Sequence, residues 1–346
     1  MAASKKSSFI YSAVRTPVGA FQGTLSPLSA PELGAAAVRE ALRRSRVRDD
    51  QIEEVILGNV ISAGIGQAPA RQAALKSGLP ESIGATTVNK VCGSGLKAVI
   101  LADQMIRLQE ADFVVAGGME SMSQAPYLLP QMRGGKKLGN AQIVDSLIHD
   151  GLWDPHEDRH MGQLCERIAR DRCYSREHQD AYALRSYTRA LTAHETGAFD
   201  QEIVEVPVNH RGKTGVVRVD EQPFAEDLDQ IPFMNPVFEK NSGTITKGNG
   251  AKINDGAAAL VIGKESRNLT PLARIIGYAG HAQAPGEFGL APAQAVEKAL
   301  ERCRLTVKDI DLFELNEAFA VVSLTLNDLL DLDPEKVNVN GGSIAL

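Results

Sequence analysis

The sequence is poor in cysteine, in long apolar runs and in clustered positive charge, and each scarcity closes off a class of function. Four cysteines, Cys92, Cys165, Cys173 and Cys303, are scattered irregularly over 346 residues. They are too sparse for a disulfide framework, and no Cys-x-x-Cys pair starts a zinc site, so no metal is expected and a reducing, cytoplasmic compartment fits best. No stretch approaches eighteen uncharged apolar residues, so no membrane-spanning helix is expected. The polar Ser/Lys opening, residues 1–8, has no apolar core behind it and does not read as a secretory signal. Lys and Arg number 37 against 43 Asp and Glu, a formal net charge of −6 without a long basic run, which argues against nucleic acid as a partner.

What is present is a chain longer than one core usually serves, so two large units or a duplicated domain are expected. Short apolar runs at 9–14, 55–61, 86–91 and 113–116 read as buried strands. Between them, residues 32–46, 68–76 and 96–108 carry apolar positions at helical spacing. That alternation predicts an α/β fold with a mainly parallel sheet covered by helices. From 119 to about 250 the rhythm is lost, apart from a helical piece at 176–191 and a basic turn at 209–214, and this stretch reads as a loop-rich insertion that forms a site. Alternation returns with strands at 258–262 and 272–278, a helix at 292–302, a strand at 310–315, a helix at 317–330 and a strand at 337–340.

That return contains a repeat. A shift of 258 positions sets residues 38–57 against 296–315 without a gap. Seven pairs are identical: Val38/Val296, Ala41/Ala299, Leu42/Leu300, Arg44/Arg302, Arg46/Arg304, Ile52/Ile310 and Leu57/Leu315. A duplicated helix–strand unit is the reading this favours.

Chemistry is concentrated at Cys92. A buried strand delivers it into Gly93-Ser94-Gly95, where a helix begins at once. The free N–H groups and positive dipole end of that helix favour the thiolate. The glycines allow close approach, and the N–H of Cys92 is placed to meet an oxyanion. A free cysteine is more often a small core residue; the strand–Cys–Gly-x-Gly–helix setting favours the nucleophile here. Cys165, Cys173 and Cys303, in helical stretches without such glycines, keep the core reading. A second constellation, Asn316-Glu317-Ala318-Phe319-Ala320, stands at the carboxyl end of a strand, where sites gather in α/β sheets. Asn316 as a site residue and Asn316 as a helix cap both remain open, and Glu317 reads as a charge that helps the helix start.

Together with these two, Gly117-Gly118-Met119-Glu120-Ser121-Met122-Ser123, His160-Met161-Gly162, Asn254-Asp255-Gly256-Ala257-Ala258 and Asn338-Val339-Asn340-Gly341-Gly342 form a series that resembles the motifs of the thiolases, from residue 8 to 346. Cys92-Gly93-Ser94-Gly95-Leu96-Lys97 resembles the biosynthetic, acetoacetyl-CoA branch more than the long-chain degradative one. The resemblance implies two duplicated βαβαβαββ halves: an N-terminal half over 1–268, with a loop subdomain inserted at about 119–250, and an incomplete C-terminal half over 269–346. It implies that Cys92 accepts an acetyl group from acetyl-CoA and that the α-carbanion of a second acetyl-CoA attacks this thioester, giving acetoacetyl-CoA and CoA. By the same resemblance Asn316 positions a water in an oxyanion hole, and His160 and Met161 lie near the pantetheine and acyl part. Phe319, with Ala318 beside it, lines the pocket. Coenzyme A thioesters are substrates rather than cofactors, and dimers or tetramers are implied.

Departures from the family pattern concern the pocket and the chain's end. Thr246-Lys247-Gly248-Asn249-Gly250-Ala251-Lys252 stands where thiolases read Thr-Ala-Gly-Asn-Ala-Ser-Gly, so Ala251 lacks a hydroxyl for pantetheine while Lys247 and Lys252 add charge. No basic residue stands near Phe224 for the nucleotide, and Phe288 opens an altered segment beside the acyl pocket. The family's Gly-His-Pro and Cys-x-Gly-Gly-Gly motifs, which supply a base to each half-reaction, fall beyond Leu346. Loss of one general base costs about 10²–10⁴ in rate, so the 346-residue polypeptide by itself is expected to be inactive in thiolysis of acetoacetyl-CoA. A broader 3-ketoacyl-CoA thiolase is one alternative. A non-catalytic thiolase relative that binds acyl-CoA or a partner subunit is another.

Overall fold

The computed structural model describes residues 7–210 and 212–346. The polar opening through residue 6, and Arg211 of the basic turn, lie outside the described residues. Two compact units are present: Met1–Gly151, Gln201–Val219 and Asn254–Ile276 form the first, and Leu152–Asp200, Asp220–Ile253 and Gly277–Leu346 the second.

The first unit is built on a seven-stranded sheet. Along it lie Ala273–Ile275, Ser8–Arg15, Asn254–Gly263, Phe113–Ser121, Glu54–Gly58 and Gly84–Val88, with the short Gly19–Ala20 on the start of Asn254–Gly263. Glu54–Gly58 is parallel to both its neighbours (Leu57 pairs with Thr87 and with Gly117). Asn254–Gly263 runs antiparallel to Phe113–Ser121 and to Ser8–Arg15. The sheet is therefore mixed rather than mainly parallel. Asn254–Gly263 returns after a long excursion of chain, so no crossover helix dictates its direction.

Side chains alternate between the two faces. Val55, Leu57, Val115, Ala259 and Val261 join Leu33, Ala37, Val38, Ala41 and Leu42 of the Ala30–Ser45 helix. That helix buries a stripe at the spacing its sequence predicted. Ile56, Val114, Ala116 and Ile262 face the other way, onto Ala98, Ala102 and Ile106 of the Ser94–Leu108 helix. Val206–His210 and Lys213–Val217 pair antiparallel as a hairpin.

The second unit is mainly helical: Met161–Asp171, Arg176–Glu195, Ala291–Cys303 and Ala320–Leu330. One core gathers Cys165, Ile168, Phe313, Val321, Val322, Leu326 and Val337, another Tyr182, Tyr187, Ile231, Ala320 and Ile344. The expected strands at 310–315 and 337–340 reduce to one parallel pair, Phe313 with Val337. Asn338 is the reason. Its φ is +46°, which takes it out of the extended region. Its side-chain amide instead bonds both Leu315 N (2.7 Å) and Leu315 O (2.9 Å), as a neighbouring strand would. The expected strand at 272–278 is confined to Ala273–Ile275, and the helix expected from 317 begins at Ala320.

The repeat is visible as local structure. The Ala30–Ser45 and Ala291–Cys303 helices both end on an arginine in the left-handed region, Arg46 and Arg304, each at φ 58°. The 3-10 turns that follow, Asp49–Gln51 and Val307–Asp309, are again 258 residues apart.

Candidate functional site

In the first unit, Gly84–Val88 leads into a turn whose bonds define the setting of Cys92. Asn59 N donates to Val88 O (3.1 Å), and Asn89 Nδ2 to Val60 O (3.3 Å). Val91 N donates to Asn89 Oδ1 (2.9 Å). Ser94 Oγ accepts from Lys90 N (2.8 Å) and donates to Val91 O (2.6 Å), to which Ser94 N also donates (3.0 Å). Between these bonds Val91 sits at φ +47°. For a β-branched residue that is a strained conformation, costing about 1–3 kcal/mol. Behind the turn, Gly58 carries no side chain because there is no room: a Cβ there would lie 2.7 Å from Ser94 Cβ and 2.8 Å from Gly95 N. The start of the Ser94–Leu108 helix thus rests directly on the strand end.

Cys92 itself is exposed. Desolvation by the atoms around it still pushes the thiol above its ordinary range, with its own backbone amide pulling the other way. That direction favours the protonated thiol, whose proton is removed before attack. Cys165 is fully buried and its thiol is pushed well up by burial; Cys303 ends a helix half-buried. Cys173 is exposed, just past the end of the Met161–Asp171 helix.

The remaining predicted site residues lie in the second unit. His160 caps the Met161–Asp171 helix: its Nδ1 accepts from Gly162 N (3.0 Å), and its own N–H donates to Gln163 Oε1 (3.0 Å). With Nδ1 accepting, the neutral ring carries its proton on Nε2. Burial pushes its pKa down, which favours that neutral form. The ring lies on Phe238 (4.7 Å between centroids), which meets Phe319 edge-on at 6.2 Å. Gly250 pairs with Phe319, and Ala251 N donates to Ala318 O (3.0 Å). The altered segment at 246–252 is thereby stitched to the Asn316–Ala320 motif. Asn316 is exposed, and its Oδ1 accepts from Ser343 Oγ (3.2 Å). Half-buried Met161 opens the capped helix, and half-buried Phe288 packs on the core around Val322. Lys247 and Lys252 reach Glu226 at 3.6 and 3.7 Å. Burial lowers the Lys252 pKa, against the pull of Glu226. His160, Ala251, Ala318 and Phe319 are thus joined by short links, Asn316 adjoins them in sequence, Lys247 stands apart on Glu226, and Cys92 belongs to the other unit.

Glu317 does not start the helix. It is fully buried and lies three residues before Ala320. Oε1 accepts from Tyr182 Oη (2.9 Å) and Asn338 Nδ2 (2.8 Å); Oε2 accepts from Ser186 Oγ (2.8 Å) and Ile344 N (3.1 Å). Its N–H donates to Ser343 Oγ (3.1 Å), the group that bonds Asn316. Glu120 has a similar role in the first unit, accepting from Asn59 Nδ2 (2.8 Å), Val60 N (2.8 Å) and Ile61 N (3.4 Å), with its pKa raised chiefly by burial. The sequence reading missed both, since only the glutamates' partners, far away in sequence, reveal them.

Comparison with known proteins adds independent findings. The family described as "Thiolase, N-terminal domain" matches residues 8–266, and "Thiolase, C-terminal domain" matches 269–346. An Escherichia coli protein named acetyl-CoA acetyltransferase is 49% identical over 347 residues, covering 99% of this chain and 88% of its own. A second from that organism, named probable acetyl-CoA acetyltransferase, is 47% identical over 97% of this chain and 87% of its own. Among solved structures, an Ascaris suum thiolase in complex with coenzyme A superposes with a TM-score of 0.93 at 42% identity, over 99% of this chain and 88% of that one. A Bacillus anthracis acetyl-CoA acetyltransferase gives a TM-score of 0.96 at 39% identity, over the same shares.

Proposed function

The chain belongs to the thiolase family and is an acetyl-CoA C-acetyltransferase, and we propose that Cys92 is the residue on which it carries the acyl group. The observation that carries this assignment is the turn itself: an exposed cysteine at a strand–helix junction, directly after a residue held at positive φ. The Cys92 sulfur, once deprotonated, attacks the carbonyl of acetyl-CoA; the tetrahedral oxyanion collapses, CoA leaves as thiolate, and an acetyl thioester remains. A second acetyl-CoA, deprotonated at its α-carbon, attacks that thioester and regenerates the cysteine. Two moderate steps replace one hard one. Asn316 is assigned the water-holding role at an oxyanion, supported by its exposed amide anchored through Ser343. His160, Met161, Ala251, Ala318, Phe319 and Phe288 are assigned to the acyl and pantetheine contacts, supported by the stitching of 249–251 to 318–320. Lys247 is assigned to the same binding side on the weaker ground of its place in the 246–252 segment.

Acyl-CoA thioesters are the substrates in this reading, with no organic cofactor or metal required. Among the described residues no helix is long and apolar enough to cross a membrane. We assign the activity to the cytoplasm, and to a dimer or tetramer whose mass light scattering will report. The deciding test is peptide mass mapping after incubation with acetyl-CoA. An acetyl group on Cys92, absent in Cys92→Ala, supports the assignment; label only on other residues sinks it.

A further inference from the structure

We infer that Asn89 is a positioning residue for acyl transfer: it orients the peptide bond between Val91 and Cys92. A peptide unit is planar, so the direction of the Val91 carbonyl fixes the opposite direction of the Cys92 N–H. Both ends of Val91 are held by hydrogen bonds rather than by packing, for Val91 is itself half-exposed. Asn89 Oδ1 takes its N–H, while Ser94 Oγ and N take its carbonyl. Asn89 is in turn anchored through Nδ2 to Val60 O, on a loop whose Val60 and Ile61 amides are fastened by the half-buried Glu120 carboxylate. Without Asn89, Val91 has a conformational reason to leave φ +47° and nothing on its amide side to prevent it. The Cys92 N–H would then swing away from the negative oxygen that forms when an acyl group arrives at the sulfur.

The inference rests on Cys92 as the acyl carrier, and its test separates the two. Acetylation of Cys92 by p-nitrophenyl acetate and alkylation by iodoacetamide are followed by peptide mass mapping on the full chain, with Cys92→Ala as blank. Acylation builds an oxyanion; alkylation builds none. Asn89→Ala is expected to lower the ratio of acylation to alkylation rates about tenfold, part of what loss of an oxyanion donor costs. Asn89→Ser, whose hydroxyl can still accept from Val91 N, is expected to stay within about threefold of the unsubstituted chain. In Val91→Gly, where the positive φ carries no strain to be released, Asn89→Ala is expected to change the ratio less than about twofold. A merely structural role would move both rates together. An unchanged ratio in Asn89→Ala, or an undiminished loss in the Val91→Gly background, overturns the positioning role alone. Absence of any acetyl adduct on Cys92 in the unsubstituted chain overturns the acyl-carrier reading and this role with it.

Discussion

The two copies of the helix–strand repeat begin alike and end differently. Both helices exit through a left-handed arginine, and both are followed by a 3-10 turn at the same offset. At the next strand end the shift of 258 sets Gly58 against Asn316, and Asn59 against Glu317. In the first copy the strand end is bare, so that a helix start can rest on it. In the second, the same position projects an exposed amide, and the residue after it is a buried carboxylate that gathers four donors. The two copies thus share a local backbone plan and part at one aligned position, glycine against a helix start in the first and an exposed asparagine in the second.

The sharpest way to break the comparison is at Glu317. Glu317→Ala leaves Tyr182, Ser186, Asn338 and Ile344 N without their acceptor. At about 1–3 kcal/mol for a buried group left unpaired, with partial relaxation, a loss of about 3–5 kcal/mol is expected from urea unfolding. Glu317→Gln is expected to lose about 1–3 kcal/mol, because its amide nitrogen must face either Asn338 Nδ2 or Ile344 N, both donors. A loss under about 1 kcal/mol in Glu317→Ala would show that the four bonds are not what holds this strand end.

Exchanging the character of the paired positions comes next. Gly58→Ala is expected to destabilise the chain by about 1–3 kcal/mol, since the new methyl meets the start of the Ser94–Leu108 helix. Asn316→Ala, at an exposed position, is expected to stay within about 0.5 kcal/mol. Equal losses at the two positions would erase the distinction between a bare and a decorated strand end.

The smallest effect tests what the copies share. Arg46→Gly and Arg304→Gly relieve a left-handed conformation at two exposed positions. The relief, less the entropy glycine adds to the unfolded chain, is expected to raise stability by about 0.5 kcal/mol in each case. A gain at one site and a loss at the other would mean that the surroundings, rather than the local turn, set these conformations.

Much of this was legible in sequence because it is local. The apolar stripe of Ala30–Ser45, the alternating strand positions and the Cys-Gly-Ser-Gly junction each announce themselves within a few residues. Asn254–Gly263 could be read as a strand, but not as the antiparallel partner of Phe113–Ser121, because that pairing joins residues more than a hundred positions apart. Residues 310–315 and 337–340 have strand composition. A side-chain amide at Asn338 takes over the bonds their backbones were expected to make. Around the candidate site, Cys92 and Asn316 stood out by motif, whereas Glu317 read as a helix-start charge and Glu120 as one member of a motif, with nothing to mark either as an acceptor. Their role lies wholly in partners that the fold delivers.

The raised thiol of Cys92 has a consequence for survival as well as for chemistry. Peroxides attack thiolates, and an exposed cysteine held permanently ionised is quickly carried to sulfenic and then irreversible sulfinic acid. A raised thiol leaves the exposed Cys92 more in its protonated form, which oxidants attack more slowly. At neutral pH, peroxide is expected to oxidise Cys92 more slowly than it oxidises an unperturbed free cysteine. The gap should close as rising pH strips the proton.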